Sequence, residues 1–209
     1  MSEGMLGNLP LSEIRGPRDD FEEKLAGADG PRWLAAFKRF LRRENPWELT
    51  ARDFTVWKTI KLGTHKTAGT LKKALTDKGC RISDWAADIL KRMTVSPTEV
   101  ELDLFYVSVA ELGFKDGAKR SDIYERALKF GLELCPNEVG PQLRLQYDDQ
   151  PRDEWLLIAM EPIRGSCGLL DVFGVGRDGG GLWLNDNTGN PGIFWLASNR
   201  WVFVRRKQS

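Results

Sequence analysis

Apolar side chains recur at three- and four-residue intervals through Trp33, Leu34, Phe37, Phe40 and Leu41. That spacing winds them onto one face of a helix beginning near Pro31. Lys38, Arg39, Arg42 and Arg43 fall on the opposite face. Residues 54–62 (FTVWKTIKL) form a β-rich run ending at Gly63, and residues 67–78 predict a helix capped by Thr67 and stopped by Gly79. Ser83 caps a further helix with Trp85, Ala86, Ile89 and Leu90 on its buried side. Ser96-Pro97-Thr98-Glu99 has the form of a capping box with proline at the first helical position, and Gly113 is placed to stop the helix that such a box would start. Between them Leu102, Phe105, Val109 and Leu112 keep helical spacing, while Val100, Leu102, Leu104 and Tyr106 alternate as in a strand. The two caps decide for a helix.

Ser121 is placed to cap SDIYERALKFG, and LELCPNEVGPQLRLQY supplies a third helix before a hairpin across DDQPRDE into WLLIAMEPI. Residues 97–163 therefore resemble a winged helix-turn-helix in outline. Gly140-Pro141 stands against this, because proline inside a recognition helix removes a hydrogen bond and clashes with the preceding turn; either the helix starts at Pro141 and is short, or LRLQY is a strand. From Trp155 the punctuation changes: Leu156, Ile158 and Met160 alternate, Asp178-Gly179 marks a tight turn between VFGVGR and GLWLN, and WVFVRR reads as a strand. Trp155, Trp183, Trp195 and Trp201 fall in this part. In a small sheet such rings ordinarily fill the core, with stacking on sugars or unpaired bases as the alternative.

Residues 1–30, rich in Gly, Pro, Asp and Glu, show no sustained apolar period and are expected to be a disordered acidic tail. The expected organisation is then this tail, a mainly helical domain over 31–147 and an antiparallel β domain over 148–209. The fold class is α+β: a helical, basic N-terminal portion with a winged-helix-like segment, followed by a small Trp-rich antiparallel sheet.

Charge sharpens the picture. Residues 32–92 hold 15 Lys/Arg against 6 Asp/Glu, while the segments on either side are each acidic, in a chain of net charge +1. A local cationic excess attracts polyanions through counterion release, although most such stripes are solvated surface. The candidate nucleic-acid contacts are Lys38, Arg39, Arg42, Arg43, Lys58, Lys61, Lys66, Lys72 and Lys73.

Catalytic chemistry finds little purchase. The single histidine, His65, rules out a histidine metal cluster, and Cys80, Cys135 and Cys167 form no C-x-x-C pair. The loop GTHKTAGT after a strand has the wrong spacing for a nucleotide loop. Paired acids at Asp148-Asp149 and Asp153-Glu154 flank Pro151 in an expected exposed turn, where water screens neighbouring charge and favours a solvated loop over a catalytic pair. The run from Asn185 to Asn190 lacks the ligand spacing of a calcium loop. No cofactor or metal site stands out. Without an export signal or membrane-spanning stretch, a cytoplasmic protein with no membrane contact is expected.

The segments WKTIKLGT, RISDWAADIL, VSVAELGF, LELCPNEVGPQLRLQY, EWLLIAMEPI and RWVFVRRK make the chain resemble, over about residues 33–207, a family of uncharacterised bacterial proteins. That family has no assigned activity, so the resemblance implies a folded bacterial module and carries no functional residue. The expected function is a non-enzymatic binding protein contacting nucleic acid, or an acidic protein, through residues 32–92. The alternatives are an interaction or ligand-binding module using the Trp-rich sheet, and an enzyme using the acids near 148–154.

Overall fold

A computed structural model describes residues 11–42 and 54–205, divided into two compact units at residues 48 and 49. The first is a pair of helices, α1 (Leu11–Ala26) and α2 (Gly30–Leu41). Phe21 of α1 lies with its ring centroid 4.7 Å from that of Phe37, and the Lys24 ammonium sits 5.4 Å over the Trp33 ring. Helix thus occupies much of the stretch expected to be a disordered tail. Contacts with a neighbouring helix supply what a weak local pattern lacks.

The second unit is built on one eight-stranded mixed sheet. Its strands are β1 (Lys58–Leu62), β2 (Arg81–Ile82), β3 (Val100–Ser108), β5 (Trp155–Ile158), β6 (Ile163–Arg164), β7 (Leu170–Asp178), β8 (Gly181–Thr188) and β10 (Arg200–Val204). The order is β1-β3-β10-β5-β7-β8-β2, with β6 beside β7; β10 runs parallel to β5 and β2 parallel to β8, and the other pairs are antiparallel. A separate two-stranded ribbon joins β4 (Ala118–Lys119) to β9 (Phe194–Trp195).

This corrects the expected fold class. The sheet is large and mixed, not small and antiparallel, and it takes strands from both sides of residue 147, so no domain boundary falls there. The winged-helix outline fails at its first helix: Val100–Ser108 is β3, with Lys58 opposite Leu104 on one side and Trp201 opposite Val107 on the other. Alternation outweighed the caps, and the Ser96 N–H is satisfied by the Glu138 carboxyl at 2.7 Å instead of by a helix.

The shorter helices follow their local signals more closely. In α3 (Ala68–Asp77), Thr67 and Thr70 form a reciprocal capping box, so the threonines of GTHKTAGT serve as caps. In α4 (Asp84–Leu90), Ser83 Oγ accepts from the Ala86 N–H. α5 (Arg120–Lys129) starts one residue before Ser121, whose hydroxyl instead bonds Asp122. α6 (Val139–Gln146) accommodates Pro141 in its first turn, where a missing N–H costs nothing.

Two layers cover the sheet. α6 packs on β1, β7 and β8, approaching so closely that a Cβ on Gly140 would lie 2.5 Å from Phe173. α5 covers the other face, where the Tyr124 ring meets Trp201 and Phe203 edge-on at 5.4 and 6.2 Å. Glu138, at the start of α6, is buried and ties three segments together, accepting from the Gly63 and Ser96 N–H groups and from Gln142 Nε2.

Candidate functional site on the sheet face

The face of β5, β7 and β8 that carries Trp155 combines aromatic rings with half-buried side-chain amides. Successive residues of a strand alternate between faces, so Trp155, Gly176 and Trp183, paired across β5, β7 and β8, stand in one row on one side. Arg81 of β2 continues the row opposite Trp183, its guanidinium 5.3 Å from the indole centroid. The next row holds Leu157, Gly174 and Asn185, and the next Val172 and Asn187.

Glycine at alternate positions of β7 makes this arrangement fit. Carbons of the Trp155 ring lie 2.2–2.6 Å from where a Cβ on Gly176 would stand, so the indole occupies the space the glycine leaves. Asn187 Nδ2 similarly lies 2.5 Å from a would-be Cβ on Gly174. Trp155 remains 43% exposed, and Trp183 is half-buried. The half-buried amides of Asn185 and Asn187 have no hydrogen-bond partner among the described residues.

The rims are held from beneath and from the side. Trp183 Nε1 donates to Asp178 at 2.9 Å and the Gly180 N–H donates to the same oxygen at 2.7 Å. These bonds, the Trp183 one foremost, hold the Asp178 carboxyl below its ordinary pKa and fix the β7–β8 turn. The fully buried Arg144 donates to the Gly176 carbonyl at 3.1 Å and to Gln150 and the Tyr147 carbonyl; burial lowers its pKa. Arg81 and Arg152 both reach the turn at 179–180, with nitrogens 2.7 and 3.0 Å from would-be Cβ positions on Gly180 and Gly179.

Gly176→Ala tests the row directly. The new methyl expels the Trp155 ring without touching the core, so the fold is retained. Acrylamide quenching of tryptophan fluorescence rises; unchanged quenching would place the ring elsewhere.

The cations singled out from the sequence fall in both units, and those of the second unit do not gather into one surface. Lys38, Arg39 and Arg42 belong to the first unit, and Arg43 lies outside the described residues. In the second unit, Lys58 lies 4.7 Å over the Tyr147 ring and 3.7 Å from Asp149, Lys61 is 4.0 Å from Glu101 on the other side of β1, and Lys73 pairs with Asp77 at 2.6 Å. Lys66 is exposed in the loop before α3, and Lys72 is half-buried on that helix. Acids distant in sequence thus meet Lys58, Lys61 and Lys78 of the basic segment.

The paired acids are equally dispersed. Asp148 and Asp149 are exposed partners of Lys78 and Lys58, while Glu154 accepts from the Tyr147 hydroxyl at 2.8 Å and lies 3.6 Å from Arg200. A cleft of about 440 Å³ is lined by Thr94, Val95, Ser96, Pro97, Cys135, Pro136, Asn137 and Glu161, but burial pushes the Cys135 thiol far up, away from a nucleophilic thiolate.

Sequence reasoning missed Gly174 and Gly176, although glycines two apart in a strand signal a close approach on one face, and it weighed Asn185 and Asn187 only as part of a loop-like run, whereas they lie in β8. Of the four tryptophans from Trp155 onward, Trp201 is fully buried and stands edge-on to Trp195 at 86°, Trp155 is exposed and Trp183 is half-buried; Trp85 of α4 is also exposed, at 47%. No family model, curated protein or solved structure matches the chain.

Proposed function

We propose that this chain is a non-enzymatic binding protein that takes unpaired nucleic acid on the Trp155–Trp183 face of its sheet. The observation that carries the reading is the row Trp155–Gly176–Trp183–Arg81, an exposed and a half-buried indole on a glycine floor with a guanidinium beside the second. The two tryptophans are borne on strands two apart, with the Trp155 ring lying over Gly176 on the strand between them. Base stacking on an aromatic ring contributes about 1–3 kcal/mol per base without sequence preference. The open amides of Asn185 and Asn187 supply donors and acceptors for base edges. Arg81 and Arg152 supply phosphate contacts, while Asp178 is engaged by Trp183 and the turn. This moves the expected contact from the basic segment to the sheet, leaving the segment's cations a supporting, long-range role. The three free thiols fit the reducing cytoplasmic setting in which such a ligand resides.

Titrating the full chain with single-stranded oligonucleotides should quench tryptophan fluorescence, with an affinity that falls as salt rises by about 0.7 log units per log unit of salt for each phosphate contacted. Trp155→Ala and Trp183→Ala should each weaken binding by about 1–3 kcal/mol while leaving the circular dichroism spectrum unchanged. Absence of quenching by any oligonucleotide at low salt overturns the reading. Quenching by neutral oligosaccharides through the same two residues would assign the face to carbohydrate instead.

A further inference from the structure

Among the described residues no helix is long and apolar enough to cross a membrane, and no cluster of acids, histidines or cysteines could hold a metal ion. The sheet unit does hold a buried cation without a counter-ion. Arg120, the first residue of α5, keeps only 8% of its surface exposed. Its guanidinium lies 4.6 Å over the Tyr124 ring, its Nε makes no hydrogen bond, and no carboxylate among the described residues pairs with it. Tyr124 cannot supply the missing charge. Burial pushes its hydroxyl up to about 12, although Arg120 beside it pulls the other way, so the phenol stays neutral. That hydroxyl also accepts from the Met160 N–H at 3.1 Å and donates to the Met160 carbonyl at 3.2 Å.

The neighbouring side chains add donors and no acid. Ala118 of β4 pairs with Trp195 of β9, and the Arg120 N–H extends that ribbon by donating to the Ile193 carbonyl at 2.9 Å. Strand alternation therefore sets Arg120, Trp195 and Ile193 on one side of the ribbon. Trp195 meets Trp201 edge-on at 5.3 Å and Trp201 meets Tyr124 at 5.4 Å, so Arg120, Tyr124, Trp201 and Trp195 form one contiguous cluster. The indole nitrogens of Trp195 and Trp201 are both buried, and neither has a hydrogen-bond partner. The buried acids of the unit lie elsewhere: Glu138 is engaged by the Gly63 and Ser96 N–H groups, and Asp171 stands beside Asp186 and Asp88. An unpaired buried donor is costly and an unpaired buried charge more so. Three such groups in one cluster are completed by a ligand that only accepts.

We propose that the Arg120–Trp195 cluster, between α5 and the β4–β9 ribbon, binds a small monocarboxylate with an apolar body. One cation and two neutral donors match a single negative charge on two oxygens, and the planar guanidinium fork fits a carboxylate. A phosphate brings about two charges and a third oxygen, which this cluster does not answer. The walls are aromatic, and Ile193 stands 36% exposed at the margin, which suits an apolar body behind the carboxylate. Of the Arg120 nitrogens only Nε is sealed from solvent, so an anion can reach the terminal pair without unfolding the cluster. The proposal is independent of nucleic-acid binding on the Trp155–Trp183 face.

Benzoate is the probe, with benzamide as its neutral counterpart. Near saturation benzoate should raise the melting temperature of the full chain by a few degrees and quench tryptophan fluorescence. Benzamide and inorganic phosphate, at equal concentration and ionic strength, should do neither. Arg120→Met removes the charge while keeping the length of the side chain. Its unliganded melting temperature should be unchanged or higher, because an apolar group replaces an unpaired buried cation, and its affinity for benzoate should fall at least about tenfold. Trp195→Phe keeps a ring in place but removes one donor, so it should weaken benzoate several-fold, and it decides the matter if the arginine variant does not fold. The proposal is overturned if millimolar benzoate neither stabilises nor quenches the wild-type chain, or if benzamide or phosphate acts as strongly as benzoate. It is equally overturned if either variant binds benzoate as tightly as wild type.

Discussion

Trp201→Ala should destabilise the sheet unit by about 3–5 kcal/mol, the largest effect expected of any single truncation in the chain. Trp201 lies in β10 at the middle of the sheet, fully buried, with Tyr124 and Trp195 edge-on to it at 5.4 and 5.3 Å. Removing the indole leaves a cavity bounded by β3, β5 and α5 that these neighbours cannot fill without leaving their own contacts. For a unit of this size the loss corresponds to a drop in melting temperature on the order of 10 °C. Trp201→Phe is the informative companion. The indole N–H has no hydrogen-bond partner in its buried position, so phenylalanine gives up area but also removes an unsatisfied donor, and should cost far less than alanine. Urea unfolding followed by circular dichroism measures both; an alanine variant within about 1 kcal/mol of wild type would show that the site collapses freely.

Glu138→Ala should follow at about 2–5 kcal/mol. Its carboxyl accepts from the Gly63 N–H at 2.8 Å, the Ser96 N–H at 2.7 Å and Gln142 Nε2 at 2.8 Å, joining the loop after β1, the approach to β3 and the first turn of α6. Water replaces it poorly at Gly63, which is buried, has φ of +72°, and packs so tightly that a Cβ would meet the Thr98 carbonyl oxygen at 2.1 Å. Glu138→Gln keeps the shape but turns an amide N–H₂ toward one of the two backbone donors, so it should fall between alanine and wild type in the same assay. A glutamine variant no more stable than alanine would mean that shape contributes nothing.

What the sequence made legible was mostly local. Thr67 and Ser83 cap the helices they precede because a cap needs only the next three residues, and Gly79 and Gly131 follow their helices with positive φ as expected. The segment 96–112 shows where locality ends. Its caps and glycine fit a helix, but its alternating residues gain two neighbouring strands, β1 and β10, whose sequences lie about 40 residues before and 100 residues after it. No window of that segment contains those partners. The candidate site was hidden for the same reason. Trp155 and Trp183 were visible as tryptophans, whereas their placement in one row with Gly176 and Arg81 depends on three separate strand registers. The charge segregation in sequence is partly offset in the fold. Lys58 and Lys78 belong to a cationic segment in sequence, but Asp149 and Asp148 come to them in the fold.

The position of β10 bears on how the chain reaches this state. It is the last strand in sequence among the described residues, yet it sits between β3 and β5. During synthesis, β1 and β3 can form an antiparallel pair, and β5, β7 and β8 a meander, well before residues 200–204 leave the ribosome. Until then the two halves have no common backbone ladder, and the sides of β3 and β5 that β10 will occupy are open to pairing with other chains. Ribosomes stalled or terminated ahead of Arg200 therefore release two sticky half-sheets, and the yield of soluble protein depends on how quickly one five-residue strand arrives to close them.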